Sequence, residues 1–93
     1  MKINVSLSSL LRQISGLTKE PDAIEMIAST PLECLRVLVG QFPSLRQWVY
    51  DKEGHLLPST MFFVNKEKLL PHEFAGPLKD GDELFILLAF AGG

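Results

Sequence analysis

One segment of this chain reads as a helix by several independent signals, and strand-like segments lie on both sides of it. Thr30 is placed to cap, Pro31 suits the first helical position, and Glu33 completes a Thr-x-x-Glu capping box. Leu32, Leu35, Leu38, Val39 and Phe42 then share one face at helical spacing, and Gly40 and Pro43 mark the end. A helix with a single apolar stripe must lay that stripe on an apolar layer. The segments before and after it have to supply that layer.

They read as strands. Lys2-Ile3-Asn4-Val5-Ser6-Leu7 alternates with period two, which turns Ile3, Val5 and Leu7 inward. Ser8 to Gly16 carries Leu10, Leu11 and Ile14 and fits a short helical turn or a loop. Gly16 to Asp22 is a turn region. Ile24, Met26 and Ala28 suggest a second strand. Beyond the helix, Leu45 to Tyr50 fits a short helix or a strand, and Asp51-Lys52-Glu53-Gly54 is a turn. Met61-Phe62-Phe63-Val64 is a dense apolar strand closed by the polar turn Asn65-Lys66-Glu67-Lys68. After the loop Leu69 to Leu78, Lys79-Asp80-Gly81-Asp82-Glu83 makes a tight Asp-Gly turn. It feeds a last strand, Leu84 to Leu88, apolar on both faces as a central strand should be. The order is strand, strand, helix, strand, strand, in one domain of 93 residues.

Composition removes several classes of function. The net charge of −2 without a basic run argues against nucleic-acid binding, which needs clustered Lys and Arg. Cys34 is the only cysteine, so no internal disulfide can form. It falls on the flank of the helix stripe, where a small packing residue is expected rather than a nucleophile. His55 and His72 are isolated from any cysteine or carboxylate spacing that would suit a metal, so neither a metal nor a bound cofactor is expected. The start of the chain lacks the apolar run of a signal peptide, and Leu84 to Ala91 is too short to span a bilayer. A cytoplasmic protein is the expectation.

The sequence closes on Leu87-Leu88-Ala89-Phe90-Ala91-Gly92-Gly93. Glycine has no Cβ and can thread a channel too narrow for other residues. The expectation is a flexible tail over residues 89–93, leaving the body of the fold from Leu88 onward and presenting the Gly93 carboxylate to a partner's active site. A carboxylate is a poor electrophile until it is activated, for example as an acyl-adenylate. The alternative is an end that is merely small and frayed.

The stretch Met61-Phe62-Phe63-Val64-Asn65, then Leu78-Lys79-Asp80-Gly81-Asp82-Glu83-Leu84, then Ala91-Gly92-Gly93 resembles the MoaD/ThiS family of sulfur carriers. Lys2 to Val5, Leu10 to Gly16 and the helix Leu32 to Leu38 fall where that family places its first strand, following loop and helix. The resemblance implies an α+β, β-grasp (ubiquitin-like) fold with one main helix on a four- or five-stranded mixed sheet. It also implies a non-enzymatic carrier acting as co-substrate. An adenylyltransferase of the MoeB/ThiF type, using ATP, would adenylate Gly93. Sulfur would replace AMP to give a thiocarboxylate, with Phe90, Ala91, Gly92 and Gly93 entering the partner's site. The implied acceptor is a MoaE-like synthase subunit in molybdenum cofactor biosynthesis. Carriers for cysteine or other sulfur metabolites, and protein modifiers forming isopeptide bonds, stay open as alternatives. Where many family members carry a proline shortly before Gly-Gly, this chain has Leu87-Leu88-Ala89, so the tail could stay paired in the sheet further along.

Alternation also points to a partner surface. With Leu84, Ile86, Phe62 and Val64 under the helix, Phe85, Leu87, Met61 and Phe63 face the other way. Four exposed apolar side chains beside the tail suggest a docking site. The alternative is that the loop Leu69 to Leu78, or a second copy, covers them.

Overall fold

The structure, a computed structural model, describes residues 1–15 and 23–88. The turn region read over Gly16 to Asp22 and the tail from Ala89 to Gly93 lie outside the described residues.

Five strands form one mixed sheet: β1 (Lys2–Leu7), β2 (Ala23–Ile27), β3 (Thr60–Val64), β4 (Glu67–Lys68) and β5 (Glu83–Leu88), in the spatial order β2-β1-β5-β3-β4. β1 and β5 run parallel at the centre, and the other neighbours are antiparallel. Both central strands alternate as their sequences dictate, with Ile3, Val5, Leu7, Leu84, Ile86 and Leu88 buried on one face. The expected β-grasp arrangement is what forms.

Helix α2 (Pro31–Gln41) covers that face, and it follows the shorter α1 (Ser9–Ser15) in the chain. Leu35 and Leu38 are fully buried, Val39 nearly so, and Leu32 and Phe42 pack on the core from its edges. The cap differs from the expected box in one atom pair. Thr30 Oγ1 accepts the Glu33 N–H at 3.1 Å, but the Glu33 carboxylate accepts from the Ser29 N–H at 2.8 Å, one residue further out than a capping box prescribes. The helix also runs through Gly40, and Phe42 closes it with its N–H on the Leu38 carbonyl at 2.8 Å.

The segment left open between helix and strand is helical: a 3-10 turn over Pro43–Leu45, then α3 (Arg46–Val49). Leu45 and Val49 are fully buried and, with Leu11 from α1, extend the core beyond α2.

The polar turn after β3 is shorter than expected. Asn65 and Lys66 both have positive φ, 49° and 73°, the pair of left-handed residues that a two-residue hairpin turn requires. Glu67 and Lys68 therefore pair back on β3 as a fifth strand. The Asp-Gly turn is as expected: Gly81 sits at φ 88°, and the Asp82 N–H reaches the Lys79 carbonyl at 3.0 Å.

Candidate functional site

Two positions define the region where a partner would act: the point where β5 ends and the sheet face opposite α2. The expectation that the chain leaves the fold from Leu88 is corrected by the structure. Leu88 is the last residue of β5, paired with Thr60 on β3 and only 6% exposed. Without a proline ahead of it, nothing stops the ladder, and an apolar side chain on the helix-covered face is held there. The body of the domain thus extends to Leu88. The tail residues Phe90, Ala91, Gly92 and Gly93, and with them the expected reactive terminus, lie outside the described residues.

The four outward-facing residues come together. Register places Met61 opposite Leu87 and Phe63 opposite Phe85. The Phe63 and Phe85 rings lie 6.1 Å apart at 52°, within the range where aromatic pairs attract. Phe85 is 36% exposed, and Met61, Phe63 and Leu87 are half-buried. Phe63, Phe85 and Leu87 line a groove of about 440 Å³ whose walls also include Ser6, Lys66 and Glu83.

Lys66 and Glu83 had not been singled out in the sequence. The left-handed turn places Lys66, and alternation along β5 puts Glu83 on the same face as Phe85 and Leu87. Asn65 clasps the turn on its far side: its N–H donates to the Glu83 carbonyl at 2.8 Å, and its Nδ2 to Asp82 Oδ1 at 3.0 Å. Its Oδ1 accepts the Glu83 N–H at 3.1 Å. The Lys79 N–H on Asp82, followed by the Asn65 amide, holds the Asp82 carboxyl below its usual range. This clasp fixes the hairpin end that presents one cation and one anion at the rim of an apolar patch. An Asn-Lys pair followed by charged residues was the available signal, and the lysine in a left-handed position hid it.

The loop after β4 does not cover the patch. Phe74 packs edge-on against the inward-facing Phe62, ring centroids 4.8 Å apart. The Leu32 N–H donates to the Phe74 carbonyl at 3.2 Å, and the Leu78 N–H to the Ser29 carbonyl at 2.8 Å. The loop is therefore bound to the helix side of the sheet.

The remaining candidates take structural places. Cys34 is fully buried, and desolvation, with the nearby Glu33 carboxylate, pushes its thiol up to about 11. The thiolate is the nucleophile, so Cys34 is inert at neutral pH. His55 is exposed, with Nδ1 3.5 Å from Asp51 and 3.7 Å from Glu53. His72 is exposed in a 3-10 turn. Among the described residues no group of three or more His, Cys, Asp or Glu could hold a metal, and no helix is long and apolar enough to cross a membrane.

No family model matches the chain, and no curated protein matches it in sequence. Solved structures do. SAMP1 of Haloferax volcanii, a small archaeal modifier protein, aligns at TM-score 0.81 and 22% identity over 100% of both chains. A chain of the BexX/CysO complex of Amycolatopsis orientalis aligns at TM-score 0.74 and 27% identity over 98% of this chain and 99% of that one. A chain of the complex between subunits 1 and 2 of the molybdopterin-converting factor of Helicobacter pylori aligns at TM-score 0.59 and 20% identity, over 100% of both. The fold that the resemblance implied is the fold these neighbours share.

Proposed function

We propose that this protein is a ubiquitin-like sulfur carrier: Gly93 is adenylated by a MoeB/ThiF-type enzyme using ATP, and sulfur then displaces AMP to leave a terminal thiocarboxylate. The observation that carries this reading is an apolar patch that the described residues leave uncovered: Met61 and Phe63 on β3 beside Phe85 and Leu87 on β5, the strand that precedes Ala89 to Gly93 in sequence. A partner gripping β5 by its outer face holds the root of the tail at a fixed distance from its own active site. The chain then contributes position and a carboxylate, while acid, base and nucleotide come from the partner, so it acts as co-substrate rather than catalyst.

For the acceptor, the MoaD-type role pairs the carrier with a MoaE-like subunit in molybdenum cofactor synthesis. It draws support from the two-subunit molybdopterin-converting factor among the neighbours. A second reading, a carrier for another sulfur-metabolite synthase, is favoured by the higher identity and TM-score of the chain from the BexX/CysO complex. The modifier reading has the SAMP1 likeness behind it, and it uses the same activated terminus.

Intact-mass spectrometry tests the shared premise. After incubation with the adenylyltransferase, ATP and sulfide, the protein should gain one sulfur in place of one oxygen at its C-terminus. Deleting Gly92 and Gly93 should leave the fold intact and abolish the change. Conversion of the truncated protein would show that Gly93 is not the site. Branched peptides on target lysines, with no thiocarboxylate, would select the modifier reading.

A further inference from the structure

The helix layer carries a second groove that shares no residue with the outer-face patch. It has two lobes, of about 510 Å³ and 710 Å³, joined at Pro43, Arg46 and Tyr50. One lobe reaches back to Arg36 on α2, and the other runs forward to Lys52. Arg36, Arg46 and Lys52 are all exposed, and none is ion-paired among the described residues. Both guanidinium groups lie close enough to the half-buried Tyr50 hydroxyl to favour its ionised form, against the larger opposing effect of burial. The one carboxylate in the lining, Asp51, is already engaged: Oδ1 accepts the N–H groups of Glu53 and His55, each at 2.9 Å, and His55 Nδ1 lies 3.5 Å from Oδ2. A chain with net charge −2 thus carries a locally positive trough.

We propose that this groove binds an acidic, extended segment of a partner protein, with Arg36, Arg46 and Lys52 meeting successive carboxylates. Arg36 lines one lobe, Lys52 the other and Arg46 both, so the cations are distributed over the two lobes of the trough. They line open surface, and no buried donor is aimed at a common centre. A small anion is held by convergent donors, whereas a run of carboxylates on an extended strand matches separated charges. Arginine suits this role because its planar fork can grip a carboxylate through two parallel N–H bonds. Since the outer face is on the other side of the sheet, a partner can occupy both surfaces at once, one holding the tail and one adding specificity.

The test is titration of the isotopically labelled full chain with a glutamate-rich peptide, followed by amide chemical shifts. Shifts should cluster between residues 36 and 54 and leave β3 and β5 unmoved. Raising salt from about 50 to 200 mM should weaken binding several-fold, as screening of exposed charges requires. R36Q and R46Q should each weaken it roughly two- to five-fold, while F85D should not alter it. Both arginines are exposed, so unchanged thermal melts will confirm that the variants fold. Absence of shifts in this region would overturn the proposal. So would unchanged binding in the R36Q/R46Q double variant. Inorganic pyrophosphate binding as tightly as the peptide would also overturn it, by revealing a small-anion site.

Discussion

Phe62 and Phe63 are neighbours in sequence and opposites in environment. Phe62 points under α2, fully buried and locked edge-on against Phe74. Phe63 points to the opposite face, half-exposed and paired with Phe85. The same contrast holds along β5, where Leu84, Ile86 and Leu88 close the core while Phe85 and Leu87 do not. A domain of this size has just enough apolar surface for one core. Four more large apolar side chains on a face that the described residues leave open work against solubility, and the partner proposed above would account for them.

The contrast can be broken most sharply by truncating each aromatic in turn. Phe62→Ala should cost about 3–5 kcal/mol by chemical denaturation, the range for a fully buried ring. Leu35→Ala, under the helix and equally buried, should cost about 2–5 kcal/mol. Phe63→Ala should cost only about 0.5–1.5 kcal/mol, chiefly the lost ring pair with Phe85. Equal losses at positions 62 and 63 would mean that the two faces are not different in kind, and that something covers the outer one.

A finer test concerns the clasp at the hairpin end. The folded state lowers the Asp82 carboxyl from its ordinary 3.8, first through the Lys79 N–H and then through the Asn65 amide. A depressed carboxyl stabilises the fold above its unfolded pKa, and that contribution is lost as pH falls through the folded value. Asp82→Asn should therefore lower the melting temperature slightly at pH 7, with the gap to the parent protein closing below about pH 3.8. A gap that stays constant across that range would show that the amide–carboxylate clasp contributes nothing through its charge.

Much of the inner face was legible in the sequence, because burial writes itself into periodicity. The stripe from Leu32 to Phe42, the alternation of Ile3, Val5 and Leu7, and the Thr30 cap each follow from local rules. What escaped was set by tertiary context. Glu67 and Lys68 look like turn residues and become a strand only because Asn65 and Lys66 take left-handed angles that reverse the chain in two residues. Leu45 and Val49, flanked by polar residues, leave the segment open between a short helix and a strand; it is helical, and both are fully buried. Leu88 reads both as the end of the last strand and as the point where the chain leaves the fold, and pairing with Thr60 keeps it in the sheet. The outer face was legible through alternation once the inner face was assigned. Its charged rim was only half so: Glu83 shares the outward face of β5 with Phe85 and Leu87 by the same alternation, whereas Lys66 is brought to the groove by the turn and not by any strand period.

The most direct test compares faces in the reaction itself. The parent protein and the F85D/L87D double variant, both shown folded by thermal melts, are incubated with the cognate adenylyltransferase, ATP and sulfide, and C-terminal sulfur incorporation is followed by intact mass. Loss of central apolar anchors typically costs more than about 1 kcal/mol each in a partner interface. The account predicts that the double variant converts at least about tenfold more slowly at limiting enzyme, while its melting temperature stays close to the parent's. Equal conversion of the two proteins would contradict it, because the outer face would then have no part in presenting Gly93.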